Sequence, residues 1–490
     1  MKIAIKVVIV SLSQFATSME RIVVFMILSR TLSQSDYGTY QQVWLFYLTI
    51  LPLFVMGLPS SLLYFIPKST LIQRKTVVFQ TLVLLEIVGL IFCAITFFTA
   101  PLMASQFNNP TLVSYLRIFA FYPLFSLSPK ILNLLMIAND KPINSAISSV
   151  IYSIISIIFI ITPSIIELPL VYTFYGAISG AAIFFFGFLL YLGRYYRNQK
   201  IIWDWKLLHS QVVYSIPLGL GSILGTLSTQ INRFVVSSSF STELFAIFTN
   251  GAFEIPFIGM ITGSLMTVLI PEFVSRLEKK ESTQSVWQLW NDSTLKTALL
   301  LFPITIYFLV FSSDIMIVLF STKYVESTSI FRIYLLVTFV RITQYGSLLQ
   351  AMGKTKLILI ISIIGLILNL LFSMVSIPLL GLHGPAWANV ATVYMWAIMY
   401  LFIIHNLLKI PISMIMPWKR LFKLLIVAIL TGFIVYPILL LELNPILRLS
   451  FGAFLYFVIY FILQLAFKNI DTMNLLSALQ QIKRKVNIEK

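Results

Sequence analysis

The sequence predicts an all-α transmembrane protein of about fourteen spans, built as two six-helix lobes followed by two further helices. Its composition, its recurring apolar segments and a weak internal repeat support this class. Of the 490 residues, 59% are hydrophobic and 10% are charged, and the mean hydropathy is +0.95. Soluble domains have about 45–50% apolar and about 25% charged residues. One core could not hide this apolar surface from water, so we expect the surroundings to be lipid.

Apolar segments of roughly 20 residues, long enough to cross a bilayer, recur along the whole chain. Several contain proline, which neighbouring helices tolerate at membrane depth. The first segment has no small-residue cleavage site, so we interpret it as a retained span and not as a signal peptide. In order, the predicted spans cover residues 5–29, 39–66, 77–104, 112–138, 145–166, 171–195, 211–239, 245–273, 293–321, 329–352, 356–380, 386–408, 419–441 and 446–467.

The distribution of positive charge predicts the orientation. Loops on the N-terminal side of the spans hold 24 of the 34 Lys and Arg residues, and the opposite loops hold only Arg30, Lys323 and Arg448. Because Lys and Arg collect in cytoplasmic loops, both termini are predicted to lie in the cytoplasm, with the chain in the inner (cytoplasmic) membrane. This topology explains the net charge of +17 without nucleic-acid binding. The single Cys93 excludes an intrachain disulfide, and no cofactor or metal is expected.

A weak repeat relates the two halves at an offset near 212 residues. An even number of spans per unit makes the repeats parallel, related by an axis along the membrane normal. Chance similarity between apolar helices is the alternative. The predicted parts are residues 1–200 (spans one to six), 201–410 (spans seven to twelve), 411–468 (spans thirteen and fourteen) and an amphipathic cytoplasmic tail, 469–490. The matching segments are Arg21–Val24 with Arg233–Val236, Leu116–Ile118 with Phe331–Ile333, and Ala138–Lys141 with Ala351–Lys354.

Polar residues within the spans indicate where a water-filled path could run. Ionisable groups are expensive in lipid, so they face a cavity, pair with one another or reach the membrane surface. Span one has a polar face at helical spacing that ends in Arg21, and span seven has one that ends in Arg233. The predicted lining residues on these two spans and on span eight are Gln14, Ser18, Thr226 and Asn250.

The sign of the intramembrane charges favours an anionic substrate. Lys130 in span four and Arg341 in span ten join Arg21 and Arg233 as predicted cavity cations. Arg grips phosphate through paired hydrogen bonds. The two carboxylates Glu86 and Glu254 are candidates for coupling transport to an ion, and pairing with a nearby basic group is the structural alternative.

Several short motifs, spread over essentially the whole chain, resemble those of the oligosaccharide flippases of the multidrug/oligosaccharidyl-lipid/polysaccharide exporter superfamily. The resemblance implies a secondary transporter that moves polyprenyl-(pyro)phosphate-linked oligosaccharide across the membrane by alternating access. Such transport serves the synthesis of cell-surface polysaccharide, for example the O-antigen of lipopolysaccharide. The motifs are Leu32–Tyr40, Gly57–Pro59, Asn232–Phe234, Glu243–Phe248, Gly353–Lys354 and Gly381–Ala386.

Carried over by this resemblance, the phosphate-holding role falls on Arg21 and Arg233, with Arg30 and Asp36 at the outer mouth. The chain departs from the pattern in span eight, which has no basic residue and carries Glu254 where some relatives have a cation. The partners implied are the lipid-linked oligosaccharide, membrane lipid, a polysaccharide polymerase and a chain-length regulator, and the chain is expected to be a monomer.

Three alternative functions fit less of the sequence. A multidrug/cation antiporter of the same superfamily typically has twelve spans and buried carboxylates suited to cationic drugs. A peptidoglycan lipid-precursor flippase is hardly distinguishable by sequence alone. A membrane enzyme is not expected, because no large soluble loop is predicted and no GxxxxGK[ST] phosphate-binding loop occurs.

Overall fold

The computed structural model describes the backbone of residues 3–197, 202–278 and 283–467. Side chains are described in the same ranges except at residues 3–14, 71–72, 264, 267–268, 278 and 283. The predicted tail, 469–490, lies outside the described residues. Within them the regular structure is helical: 21 α-helices and four short 3₁₀ turns, at Thr322–Tyr324, Leu336–Phe339, Gly381–His383 and Tyr436–Leu440.

The helices follow the predicted spans closely, and several spans consist of two or three consecutive helices. They are α1 (Ile3–Thr31), α2 (Gln34–Val55), α3 (Leu58–Lys68), α4 (Leu71–Gln106), α5 (Leu112–Phe119), α6 (Tyr122–Ser126), α7 (Lys130–Ala138), α8 (Pro142–Ile165), α9 (Val171–Tyr195), α10 (Trp205–Ser239), α11 (Thr242–Gly251), α12 (Pro256–Glu278), α13 (Thr283–Val310), α14 (Ser312–Phe320), α15 (Ser327–Leu335), α16 (Tyr345–Ala351), α17 (Thr355–Leu380), α18 (Gly384–Leu408), α19 (Ile412–Ile415), α20 (Trp418–Val435) and α21 (Pro445–Ala466).

The all-helical transmembrane class is confirmed, and the count of fourteen spans is not. Among the described residues, 9 helical stretches are long and apolar enough to cross a membrane, or up to 11 if each bent helix pair is one span. One of these stretches, Thr355–Leu408, has 54 residues. At 1.5 Å per residue it exceeds twice the roughly 30 Å of a bilayer core, and its two helices, α17 and α18, pack against each other.

The outer surface of the helices is strongly apolar. Phe98, Leu379 and Phe433 expose 78%, 75% and 73% of their surface, and they are three of many large apolar side chains that face outward. Soluble proteins rarely expose contiguous apolar patches beyond a few hundred Å². The protein is therefore a membrane protein.

The chain divides into two compact units, Met1–Thr249 with Leu319–Ser321 and Asn250–Val318 with Thr322–Lys490. In the first unit α1 packs along α8, α8 on α9, and α10 on α2 and α3. In the second unit α13 packs on α20, α20 on α21, and α12 on α16. This division differs from the predicted lobe boundary at residue 200, since α10 packs within the first unit. The lobes themselves remain a prediction.

Each unit has its own core. The first contains a cluster around Leu62, Ile66 and Phe188 and an aromatic cluster in which Trp44 lies edge-on to Phe119 and Tyr122, with ring centroids 5.2 and 5.3 Å apart. The core of the second unit is built around Trp290, Phe302 and Tyr456, with many further apolar side chains.

Candidate functional site

Among the described residues, predicted spans two, four, eight and ten are interrupted, and polar groups lie at or beside the interruptions. Spans two and eight are bent helix pairs, α2–α3 by 41° and α11–α12 by 45°. Span four consists of α5, α6 and α7, and span ten consists of α15, a 3₁₀ turn and α16. In transporters, discontinuous spans in corresponding positions of two repeats point to the substrate site, because unwound backbone is tolerated where it borders protein or water.

The break between α2 and α3 follows from local sequence. Pro52 cannot donate a backbone hydrogen bond inside α2, and α2 ends where Met56 and Gly57 adopt left-handed conformations with φ of 45° and 71°. α10 crosses this break in close contact. A Cβ on Gly219 would lie 2.6 Å from the backbone of Met56, so only glycine allows the approach.

Lys130 lies at the first residue of α7, within the interrupted fourth span. Its side chain is exposed, and its Nζ donates to Oη of Tyr47 at 3.4 Å and lies 5.5 Å from the centre of the same ring. The Tyr47 hydroxyl is also 3.0 Å from the Ser126 hydroxyl. The aromatic core therefore orients the ammonium group without neutralising its charge.

Glu86 of α4 contacts the same interruption. The Ser128 hydroxyl, two residues before Lys130, donates to Oε1 of Glu86, and this carboxylate is half-buried. Of the two predicted ion-coupling residues, Glu86 accepts a hydrogen bond from a hydroxyl group. Glu254, in the second unit, instead pairs with a guanidinium, as described below.

Arg21 is exposed on α1, ten residues before the helix ends. The adjacent Glu20 points elsewhere, because its Oε2 accepts a hydrogen bond from Ser153 of α8 at 3.0 Å. Ser18 is half-buried, and the side chain of Gln14 lies outside the described residues. An Arg side chain in an apolar span is several kcal/mol more stable in a water-filled cavity than in lipid. The exposure of Arg21 is consistent with the predicted cavity.

Arg30 and Asp36, predicted at the outer mouth, make structural hydrogen bonds. Nη1 of Arg30 donates to the backbone carbonyls of Met26 at 2.5 Å and Leu319 at 2.9 Å. Asp36 lies in the first turn of α2, where Ser33 donates from its hydroxyl to Oδ2 at 2.8 Å and accepts from the Asp36 N–H at 3.0 Å. These contacts anchor the end of α1 and cap α2.

On α10, Arg233 and Thr226 are both half-buried. Thr229 donates its hydroxyl to the Thr226 carbonyl at 2.9 Å, which satisfies one polar group within the helix. Arg21, Lys130 and Arg233 therefore lie in the same compact unit, on three different helices.

In the second unit the structure pairs two of the predicted residues. Glu254 lies in the unwound segment between α11 and α12, and Arg341 lies in the irregular segment between α15 and α16. Nη2 of Arg341 is 3.0 Å from Oε1 of Glu254. Arg341 is thus already paired with a carboxylate. Asn250, predicted to face water, is instead buried, with 1% of its surface exposed.

The Arg341–Glu254 ion pair borders a small pocket in the second unit, with an enclosed volume of about 30 Å³. The walls are aromatic and aliphatic, and a few polar groups converge on the space. Its lining comprises Phe253, Glu254, Ile255, Ile258, Phe331, Tyr334, Leu335, Val337, Thr338, Arg341 and Asn389. Within the described residues no group of three or more His, Cys, Asp or Glu side chains is placed to hold a metal ion.

Sequence reasoning missed some of the residues at these interruptions. The role of Tyr47 could not be recognised from the sequence, because a single tyrosine in an aromatic-rich span is typical of a residue buried in the core. Asn389 of α18 reaches the pocket only through the packing of α15 and α18. Both residues lie far in sequence from the groups they accompany, so spacing along the chain could not reveal them.

Comparisons with known proteins agree with this architecture. The sequence signature of the family described as polysaccharide biosynthesis protein matches residues 27–329. Among curated protein sequences, none matches the chain.

Several solved structures share the fold at low sequence identity. The lipid II flippase MurJ, in an inward closed conformation, is similar over 94% of this chain and 100% of its own, with a TM-score of 0.71 and 14% identity. An inward-facing multidrug resistance MATE family transporter of the MOP superfamily covers 81% of this chain and 94% of its own, with a TM-score of 0.60 and 16% identity. A MOP superfamily transporter from Pyrococcus furiosus covers 82% and 94%, with a TM-score of 0.55 and 16% identity.

The signature covers more than half of the chain, and the structural likeness extends along nearly all of it. The resemblance predicted from the motifs is confirmed. The chain belongs to the family described as polysaccharide biosynthesis protein, and it shares its fold with MOP superfamily transporters.

Proposed function

We propose that this protein is a secondary transporter that flips polyprenyl-(pyro)phosphate-linked oligosaccharide across the cytoplasmic membrane by alternating access, for the synthesis of cell-surface polysaccharide. The observation that carries the proposal is the exposed Arg21 in an apolar span of a chain that belongs to a polysaccharide biosynthesis family. The likeness in fold to a lipid II flippase supports a substrate with a lipid tail and a polar head.

The first unit carries the cationic part of the site in this proposal. Arg21 and Lys130 are exposed, and the hydroxyl partner of Lys130 leaves its charge uncompensated. A phosphate or pyrophosphate group is the part of the cargo that such cations bind most strongly, because charge-assisted hydrogen bonds are about twice as strong as neutral ones. Arg233 is the third proposed cation.

The loop charges support an orientation with both termini in the cytoplasm of the cell, and cargo moving from the inner to the outer leaflet. We expect the chain to act as a monomer, with a polymerase and a chain-length regulator as partners downstream. The role is transport and not catalysis, since the chemistry of the cargo is unchanged by its movement.

Two relatives in the same superfamily suggest alternative cargoes. A multidrug/cation antiporter would use a carboxylate to bind cationic drugs, but the carboxylate of Glu254 is already paired with Arg341. A peptidoglycan lipid-precursor flippase is closer, because its cargo also has a polyprenyl pyrophosphate and sugars. The two flippase functions differ in the sugar that they accept.

Arg21→Ala tests the proposal in cells that lack the native copy of the gene. We expect export to fall at least about 10-fold, because hydrogen bonds to charged groups contribute about 1.5–3 kcal/mol. Arg21→Lys keeps the charge but not the planar fork, so an intermediate export rate is expected. The measurements are surface polysaccharide and the amount of lipid-linked oligosaccharide that accumulates in the membrane.

Arg276→Ala is the control, because the half-buried Arg276 pairs with Glu272 one helical turn away on α12 and donates to Ser285 of α13, apart from the proposed cations. We expect this control to export at the wild-type rate. Normal export by Arg21→Ala, at equal amounts of protein in the membrane, would refute the proposed role of Arg21.

A further inference from the structure

A group of positive charges lies at one end of the first unit, where three pairs of consecutive helices are joined. At this end α3 leads to α4, α7 to α8 and α9 to α10. The joining regions 68–75, 139–141 and 194–206 contain eight Lys and Arg residues and two Asp residues. The distribution of Lys and Arg along the chain predicts that this end faces the cytoplasm. The end of the unit therefore has a large excess of positive charge.

Contacts between the helices bring these charges to one surface. Near the start of α4, Arg74 donates from Nη1 to Oδ1 of Asn139 at 3.1 Å and from Nε to the Ser69 carbonyl at 3.2 Å. Lys141 follows Asn139 by two residues, and its Nζ is 4.8 Å from the centre of the Tyr195 ring at the end of α9. The ends of α3, α4, α8 and α9 are thus joined through their basic residues.

The lysines of this surface lie on aromatic rings. Nζ of Lys68, at the end of α3, is 3.8 Å from the centre of the Tyr64 ring, and Tyr64 stacks on Tyr214 of α10 with ring centroids 4.6 Å apart. A cation–π contact orients an ammonium group and brings no negative charge to it. Because Lys68 and Lys141 are both exposed, their charges can act on an anion outside the protein.

Exposed aromatic side chains indicate the depth of this surface in the membrane. Tyr64, Tyr195 and Tyr214 are exposed beside the lysines, and Trp205, at the start of α10, exposes 73% of its surface. Tyr and Trp are enriched at the membrane–water interface, where their rings lie at the level of the lipid headgroups. The cations next to them are therefore at the level of lipid phosphates.

We infer that the basic surface formed by Lys68, Arg74, Lys141, Arg194 and Arg197 binds the headgroup of an anionic phospholipid. Arg194 and Arg197 are exposed, and the Arg74 guanidinium donates to neutral oxygens, so the phosphate meets uncompensated charge. Basic clusters at the cytoplasmic ends of spans attract anionic headgroups, because the attractions of several cations add. The site lies within the first unit, and it does not depend on the proposed cargo.

Binding of fluorescent lipids to the purified full-length protein in detergent tests this inference. The probes are phosphatidylglycerol, which is anionic, and phosphatidylcholine, which has no net charge. We expect the wild type to bind phosphatidylglycerol at least about 10-fold more tightly, because each Lys or Arg near the headgroup adds to the attraction. The double variant Lys68→Gln with Lys141→Gln should lose most of this preference, and Lys68→Arg with Lys141→Arg should keep it.

The double variant Lys354→Gln with Lys356→Gln is the matched control. Both lysines are exposed and lie on the same predicted side of the membrane, but they belong to the second unit. This control removes the same amount of charge and should retain the wild-type preference for phosphatidylglycerol. Thermal unfolding of each variant checks that it is folded.

Four results would overturn the inference. The wild type could show no preference for phosphatidylglycerol, or the control could lose as much of the preference as Lys68→Gln with Lys141→Gln. Displacement of phosphatidylglycerol by an equal concentration of inorganic phosphate would make the surface a site for a soluble anion. Binding of polyprenyl phosphate at least about 10-fold more tightly than phosphatidylglycerol would assign it to the cargo. Because none of these measurements involves Arg21, the proposed function is tested separately.

Discussion

Single charged side chains at membrane depth carry the functional argument, and their partners distinguish them. Arg21 and Lys130 are exposed cations, whereas Arg341 is paired with Glu254 at 3.0 Å. Arg30 binds two backbone carbonyls. A count of basic residues in the spans therefore overstates the number available to an anionic substrate.

Glu86 is the residue on which ion coupling can be tested most simply. It is half-buried and accepts a hydrogen bond from Ser128, beside the exposed Lys130. Glu86→Gln keeps the shape and removes the ionisable group, so flux should no longer respond to a proton or sodium gradient. The measurement is transport with and without each gradient.

Glu272→Gln is the control for this test, because Glu272 is an exposed carboxylate paired with Arg276 on α12. It should leave gradient dependence unchanged. Persistence of the full gradient response in Glu86→Gln would exclude Glu86 as the coupling residue.

The sequence predicts which ionisable residues lie within spans, because charge and hydropathy can be read along the chain. It does not predict their pairing. Arg341 and Glu254 are 87 residues apart, and they meet because two interruptions lie side by side. Ser128, in the break before α7, donates to Glu86 of the continuous helix α4, and this contact is also long-range in sequence.

At the scale of the helices, close contacts between a helix and a neighbouring helix break contribute to the stability of the folded protein. Gly219 of α10 faces the backbone of Met56, and a Cβ there would lie 2.6 Å away. Gly219→Ala should therefore lower the unfolding temperature, because two backbone segments would have to separate. Thermal unfolding in detergent measures the effect.

Gly221, two residues further along α10, is the matched control, because a Cβ added there would meet no atom within 4 Å. Gly221→Ala should be neutral or stabilising by about 0.5–1 kcal/mol, because alanine restricts the unfolded chain more than glycine does. If both variants unfold at the same temperature, the close contact at Gly219 has no energetic consequence.

A buried ion pair connects α14 to α21. Nη2 of Arg448 is 2.7 Å from Oδ1 of Asp314, and the Asp314 side chain is 4% exposed. Arg448→Ala leaves a buried carboxylate without its partner, which should reduce the free energy of unfolding by about 3–5 kcal/mol. The measurement is the loss of stability in detergent.

The exposed carboxylate of Glu272, which pairs with Arg276 on the same helix, again provides the comparison. Glu272→Ala should change the free energy of unfolding by about 1 kcal/mol or less, because the Glu272 carboxylate is exposed and exposed ion pairs contribute little. An equally small effect of Arg448→Ala would show that the buried pair does not hold α21 in place.

The helices lie where the sequence predicts spans, although the count of fourteen spans is not confirmed, because bilayer thickness requires a minimum apolar length. The interruptions were not predicted. Proline and glycine residues, such as those at positions 52, 57 and 256, also occur inside uninterrupted transmembrane helices, so their presence alone does not indicate a break. Only the packing of neighbouring helices, such as α10 against Gly57, decides whether a proline bends or breaks a span.

At the scale of the whole molecule, the loop charges make a prediction about orientation. Cys93→Ser removes the single cysteine, and Lys356→Cys and Lys323→Cys then place one exposed thiol on each predicted side. In intact cells a membrane-impermeant thiol reagent should label residue 323 and not residue 356. Labelling of residue 356 alone would reverse the orientation.

The membrane class and the family were predictable from composition and motifs, because both are spread over hundreds of residues. The contacts of α10 with α2 and α3 were not predictable, because they join residues far apart in the sequence. The cargo cannot be predicted from composition either, because selectivity depends on a few side chains that come together from helices far apart in the sequence.

The central claim is that this protein moves a lipid-linked oligosaccharide between leaflets by holding its phosphate on intramembrane cations. Vesicles reconstituted with the purified protein test it most directly, with the glycolipid in one leaflet and a membrane-impermeant glycosidase outside to report its arrival. We predict that wild-type protein exposes the glycolipid much faster than protein-free vesicles, and that Arg21→Ala slows this at least about 10-fold. Equal rates in wild-type, Arg21→Ala and protein-free vesicles would contradict the account.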